Sequence, residues 1–494
     1  MPIDLNCLPQ SVPLLPHQRE VHDFITTRPA SAVWVKVGGA KTRVCLQALR
    51  TLHEPGHVLV VAPLQIARNS WTGEIQKWGF NVSVRSLVDD LGTGKRLTKA
   101  ERSRLYEELR DPATPPSIWV SSLSCLKELV EAMGFTRPCG PADFRPAPAN
   151  ARWPFPTVII DEAQEFKNPQ SERFRTLFQT RPHIRRIIEL TGSPAPQSLL
   201  DLWSQVALLD GGRALGRSFP AYRAKFFDPD QHVNNRPVSW KLKPGADPAI
   251  HQKVAHLAIS RENRSNVRPP DPVFGTYHVH LDPETKERYK NFVRDRVMEL
   301  APDLLTGAVP VIMADTAARL RAVLLQFASG TVYTGANHRV DFEVVHDAKV
   351  EALLDILRAT PTPVMVAYRF QADETRLLAA LREQGFLAEK FDGSPGMVRQ
   401  WNDREIPVML LQPASSRHGL NLQHGGHTLV WFTLPDSSEH WEQTNGRLVR
   451  IGQTQPVDIV RIITAGTIDV RQIPLVERKL RIQQDLLDYI ASVV

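Results

Sequence analysis

At 494 residues, with 42% hydrophobic and 23% charged side chains, the chain has ordinary globular composition and room for about two to four domains, since single cores stop growing beyond about 250 to 300 residues. Lys and Arg outnumber Asp and Glu by 60 to 53, giving a net charge of +7 and a pI near 9.2, a mild basic excess that suits a polyanion without identifying one. The four cysteines, at 7, 45, 125 and 139, form no C-x-x-C pair, and no leader-like segment or apolar run near the roughly 18 residues of a membrane span is found; zinc, a disulfide framework and a membrane are therefore not expected, and a reducing, cytoplasmic setting is.

In chain order, L-L-P-H-Q-R-E-V at Leu14 precedes an apolar strand, A-V-W-V, that runs into a helix-forming segment through a turn holding Gly38, Gly39, Lys41 and Thr42. A glycine turn opening a helix aims backbone N–H groups at a phosphate, with Lys41 placed for the β- and γ-phosphates and Thr42 for Mg2+. The match to G-x-x-x-x-G-K-[ST] is degenerate, because Val35 and Ala40 stand where glycines belong; an ordinary strand-to-helix turn is the alternative. Downstream, V-V-A-P-L-Q leads to Trp71 and Trp78, read as packing residues, and I-W-V-S-S follows at Ile118. The proline-dense stretch from Gly134 to Pro156 cannot continue a helix or strand and reads as a surface loop whose aromatics dock on the domain.

T-V-I-I-D-E-A-Q at Thr157 reads as a buried parallel strand with carboxylates at its tip, where open α/β sheets bind ligands. Asp161 suits a hydrated Mg2+ and Glu162 the attacking water. L-T-G-S-P follows at Leu190. Between 211 and 346, T-Y-H-V-H-L at Thr276 alternates like a strand and the segment at Pro283 has helical periodicity. Further on stand P-V-M-V-A-Y-R-F at Pro363, F-D-G-S at Phe391, S-S-R-H-G-L-N-L at Ser415 and W-E-Q-T-N-G-R-L-V-R-I-G-Q-T at Trp441. In the last of these, Arg447 and Arg450 lie three apart, on one face if the segment is helical, as phosphoryl-transfer chemistry would use them.

Taken together and in order, these segments resemble the Swi/Snf-type branch of the superfamily-two helicases, of minimal bacterial or viral type. The resemblance implies an α/β fold with two tandem RecA-like parallel-sheet lobes, residues 1–210 and 347–474, a mainly helical inter-lobe insertion at 211–346 and a C-terminal brace helix at 475–494. It also implies site residues. Gln18 reads adenine, Gln443 joins the nucleotide site with Gly38, Gly39, Lys41 and Thr42, and Thr42 and Asp161 hold Mg2+. Catalysis falls to Lys41, Asp161, Glu162, Arg447 and Arg450, and coupling to Gln164, Ser193 and Gly419. Nucleic-acid contacts fall to Pro63, Ser121, Ser122, Arg369, Gly393, Ser394, Ser416 and Arg417, the last standing where the family pattern has glycine. The implied function is an ATP-dependent translocase on duplex DNA, in a bacterial or virus-infected bacterial cell, with a nuclear location left open. A strand-separating helicase acting on branched DNA or RNA, and a non-hydrolysing clamp, are the alternatives.

Overall fold

The computed structural model describes residues 6–7, 13–36, 39–144, 146–233, 236–261, 269–300, 314–334, 341–413, 421–450 and 452–493. The chain divides into two compact units, neither continuous in sequence: 1–227 with 242–265 and 480–494, and 228–241 with 266–479.

The first unit is built on a seven-stranded sheet. Its strands, in chain order, are β1 (Ala30–Trp34), β2 (Val58–Ala62), β3 (Val84–Ser86), β4 (Ile118–Ser122), β5 (Thr157–Asp161), β6 (Arg186–Thr191) and β7 (Ala258–Ser260). They are arranged β7-β1-β6-β5-β2-β4-β3, every neighbouring pair parallel. Parallel sheets are covered on both faces, which explains why β2, β4 and β5 are buried along their whole length and read as apolar runs. Val33, Val60, Val120, Ile159 and Ile188 meet the buried face of the helix Lys41–Leu52, including Val44, Cys45 and Ala48, in one core.

The second unit carries a six-stranded sheet: β8 (Val273–Val279), β9 (Val364–Ala367), β10 (Ala388–Lys390), β11 (Val408–Leu411), β12 (Thr428–Trp431) and β13 (Asp458–Thr464). Their order is β8-β13-β12-β9-β11-β10, again parallel throughout. Val364, Val366, Leu410, Val430 and Ile462 pack under Leu353, Leu357 and Leu377. Residues 211–346 thus give one edge strand to each sheet, β7 and β8, besides the helix Pro283–Leu300. Two long helices, Pro283–Leu300 and Ala314–Ser329, flank residues that lie outside the description.

Between Ala132 and Thr157 the described residues form no helix or strand. Phe155 and Phe135 are fully buried, and Trp153 packs edge-on against both, at ring distances of 5.2 and 5.8 Å. The proline-rich loop is therefore anchored by its aromatics, as its sequence suggests.

Candidate functional site

Because all strands of the first sheet run the same way, their C-terminal tips share one edge. That edge holds the turn after β1, Pro63 after β2, Ser122 on β4, Asp161 on β5 and the Gly192–Ser193 turn after β6. The turn after β1 is tight. Gly39 N–H donates to the Lys36 carbonyl at 3.2 Å, and a Cβ on Gly39 would come within 2.2 Å of Val35 Cγ1. Ala40 then caps the helix Lys41–Leu52 in the left-handed region, at φ 55° and ψ 34°. Lys41 Nζ donates to the Val35 carbonyl at 2.8 Å, so its ammonium folds back over the turn. Thr42 is the second helical residue. Gly38 lies outside the described residues.

At the tip of β5 the carboxylates are held in detail. Asp161 is buried, 5% exposed; its Oδ2 accepts the indole N–H of Trp71 at 3.0 Å and its Oδ1 the backbone N–H of Glu162 at 3.1 Å. Glu162 adopts a left-handed conformation, φ 57°, which turns the chain sharply off the strand. Such a backbone in a non-glycine residue costs on the order of 1–3 kcal/mol and clusters at functional positions. Gln164 Nε2 donates to Glu162 Oε2 at 2.7 Å, Thr191 Oγ1 donates to Gln164 Oε1, and Ser193 N–H donates to Thr191 Oγ1 at 2.9 Å. One hydrogen-bonded chain therefore joins the strand tip to the Gly-Ser-Pro turn. Cys45, packed nearby, has its thiol pushed up by burial and then by the Asp161 charge, so it stays neutral.

Other expected residues serve local structure. Gln18 is buried with its Oε1 accepting Leu15 N–H at 3.1 Å, which fixes the side chain at its own helix start. The Pro63 carbonyl accepts Ala67 N–H at 2.9 Å. Ser121 and Ser122, the last residues of β4, are buried and bonded locally: Ser121 Oγ donates to the Ser122 carbonyl at 3.2 Å, and Ser122 Oγ pairs with Ser124 Oγ at 2.8 Å.

In the second unit, Arg369 follows β9 and forms an ion pair with Asp436, which also pairs with Arg321 at 3.3 Å. Gly393 is left-handed, φ 78°, and Ser394 Oγ caps the helix Pro395–Asn402 by accepting Met397 N–H. Gln443 Nε2 donates to Glu439 Oε1 at 3.2 Å along the helix Ser438–Asn445. Ser416, Arg417 and Gly419 lie outside the described residues.

The arginine pair departs from the expected helical face. The helix ends at Asn445 with Gly446 as its cap, and Arg447 and Arg450 stand in the turns beyond it. They nonetheless feel one another. Arg447 is 4% exposed, and burial, then the Arg450 charge, push its pKa down to about 10. Among the described residues its Nε and Nη1 have no hydrogen-bond partner. A buried guanidinium left in that state is costly unless an anion completes it.

Sequence reasoning misses three contributors. Trp71 reads as packing, yet its N–H reaches a carboxylate ninety residues away. Thr191, unremarkable in an L-T-G-S string, is the link between Gln164 and Ser193. Gln453, inside the I-G-Q string, donates through Nε2 to the carbonyls of Gln423 and Gly426 and accepts Thr454 and Gln455 N–H groups, pinning the second unit's loops together. Only the last has a sequence signal, its place in a distinctive string.

The SNF2-related domain family matches residues 37–308. Protein p41 of Acyrthosiphon pisum secondary endosymbiont phage 1 is 28% identical over 96% of this chain and 97% of its own length. An ATP-dependent helicase of Mycoplasma pneumoniae is 24% identical over 88% of this chain, and the DNA excision repair protein ERCC-6 of Homo sapiens 24% identical over 84%. The chain spans only 38% and 27% of those two proteins. No described helix is long and apolar enough to cross a membrane. With two parallel-sheet units and a match covering more than half its length, the chain belongs to the SNF2-related family of ATP-dependent, helicase-type enzymes.

Proposed function

We propose that the chain is a DNA-stimulated ATPase that moves along duplex DNA by its phosphate backbone. The observation that carries this is the hydrogen-bonded chain from Glu162 through Gln164 and Thr191 to Ser193. It makes the carboxylate that would orient the attacking water and a turn on the next strand one rigid object, so a change at either is felt at the other. The relative named as a DNA excision repair protein supports DNA as the substrate.

In this reading Gln18 reads the adenine, Gln443 joins the nucleotide site, and the turn with Gly38 and Gly39 receives the phosphates. Lys41 exchanges its bond to Val35 for phosphate oxygens. The donor set fits magnesium: one buried carboxylate, Asp161, with both oxygens already oriented, and one hydroxyl, Thr42, are the few hard ligands a hydrated Mg2+ takes from protein. When bound, the ion neutralises charge on the β- and γ-phosphates. Glu162 accepts the water's proton. Arg447 and Arg450 stabilise the charge that builds on the transferred phosphoryl group, and the two buried Arg447 nitrogens that have no partner among the described residues gain an anion.

DNA backbone contacts fall to Pro63, Arg369, Gly393, Ser394, Ser416 and Arg417, with Gly419 coupling them to the nucleotide; Ser121 and Ser122, expected in this set, are buried on β4 with their hydroxyls bonded locally and are left out of it. Backbone contact carries little sequence information, so binding is indifferent to sequence and weakens steeply with salt. The test is phosphate release with duplex, single-stranded, forked and RNA ligands, paired with triplex-displacement and strand-displacement assays. Duplex stimulation with triplex displacement supports the reading; strand separation makes the chain an unwinding helicase, and absent hydrolysis makes it a clamp.

A further inference from the structure

Two tryptophans sit seven apart, on and just beyond the helix Trp71–Lys77, and their indole N–H groups do different things. Trp78 Nε1 donates locally, to Glu74 Oε2 at 2.6 Å, while the Arg43 guanidinium stacks on its ring at 3.9 Å. Trp71 is fully buried and donates across the sheet edge to Asp161 Oδ2. A buried indole needs a partner for its N–H, and here that partner is the carboxylate at the strand tip. The chain enters this helix through a π-helical turn, Ile66–Ser70, whose extra residue rotates the downstream helix about its axis, and such turns gather at functional positions.

We infer that Trp71 is a positioning residue for the divalent cation. Its N–H holds one oxygen of Asp161 while Glu162 N–H holds the other, so the carboxylate plane is kept from rotating. Groups that orient a metal-bound carboxylate or imidazole are worth roughly 10- to 100-fold in metal affinity. The inference rests on the reading of Asp161 as the magnesium ligand. It adds that the ligand is tuned by the segment after β2, so the cation senses how that helix is seated.

The experiment measures Mn2+ binding by electron paramagnetic resonance on the full chain with AMP-PNP, alongside AMP-PNP affinity in EDTA and thermal melting. Two replacements at position 71 are compared: Trp71→Phe, and the indole isostere benzothienylalanine, which keeps ring volume and exchanges N–H for sulfur. Mn2+ affinity is expected to fall about tenfold in the isostere, with nucleotide affinity in EDTA within about twofold and melting little changed. Unaltered Mn2+ affinity in the isostere overturns the inference, whatever the phenylalanine variant does. Asp161→Asn is the control for the underlying reading: if it binds Mn2+ like the parent, Asp161 is not the ligand and that reading falls, whereas lost binding there with an unaffected isostere sinks the Trp71 role alone.

Discussion

The turn after β1 makes a prediction with opposite signs at adjacent residues. Ala40 holds φ 55° and ψ 34°, a left-handed conformation that costs an L-residue roughly 1–2 kcal/mol. Glycine adopts it freely but loses about 0.5–1 kcal/mol more backbone entropy on folding. Ala40→Gly is therefore expected to stabilise the first unit by about 0.5–1 kcal/mol, raising its melting temperature by about 1–4 °C. Gly39 is the reverse case. Its added Cβ would meet Val35 Cγ1 at 2.2 Å and the Lys36 carbonyl at 3.2 Å, an overpacking that costs about 1–3 kcal/mol. Gly39→Ala should melt lower, and since the clash pushes on the turn proposed to receive the phosphates, it should also bind ATP more weakly. The assay is thermal and urea unfolding of both variants, with ATP titration in the presence of duplex DNA. If Ala40→Gly melts below the parent, the left-handed cap is not a strained element and the argument fails.

Glu162→Gln should cut turnover at least about a hundredfold with ATP binding retained, because the amide keeps the shape without a base; single-turnover kinetics and nucleotide titration check it. Arg450→Ala should cost a similar factor with little loss of DNA affinity, and Arg450→Lys should rescue poorly because a point charge cannot reproduce the planar fork; near-parental turnover in the lysine variant would contradict this. Arg447→Met should abolish turnover yet raise the nucleotide-free melting temperature, since it removes a buried charge whose Nε and Nη1 have no partner among the described residues. His346, whose pKa is lowered to about 4 by burial and the Arg376 charge, is neutral when folded and titrates near its ordinary value when unfolded. The unfolded chain binds the extra proton, so stability present above about pH 6.5 is lost as pH falls toward 4, by about 2–3 kcal/mol, and His346→Gln should flatten that limb of a pH-dependent urea series.

What the sequence reveals depends on the range of the signal. The strand before Asp161 is legible because a fully buried parallel strand is apolar without interruption, and the strand is buried at every position. The helix at Pro283 is legible from its period. Spacing alone puts the arginine pair on a helix because spacing does not record where a helix stops; Gly446 ends it one residue before Arg447. Strand β7 is three residues long, too short for any period, and its partner β1 lies more than two hundred residues earlier. Trp71 shows the same limit on the candidate site. Burial is readable from its neighbours, but the direction of one N–H depends on a π-helical turn that the sequence does not announce.

The discontinuity of the first unit bears on how the protein is made. Its sheet edge β7 comes from 242–265, and its last element from 480–494, after every strand of the second unit has been synthesised. From that late segment Gln484 accepts a hydrogen bond from Lys36 at 2.8 Å, and Gln483 donates to the Gly192 carbonyl at 3.5 Å, one position at the turn after β1 and one at the turn after β6. A ribosome releases the second unit's strands before the residues that finish the first. Loop closures this long are slow, so the unit whose strands are made first is the one completed last.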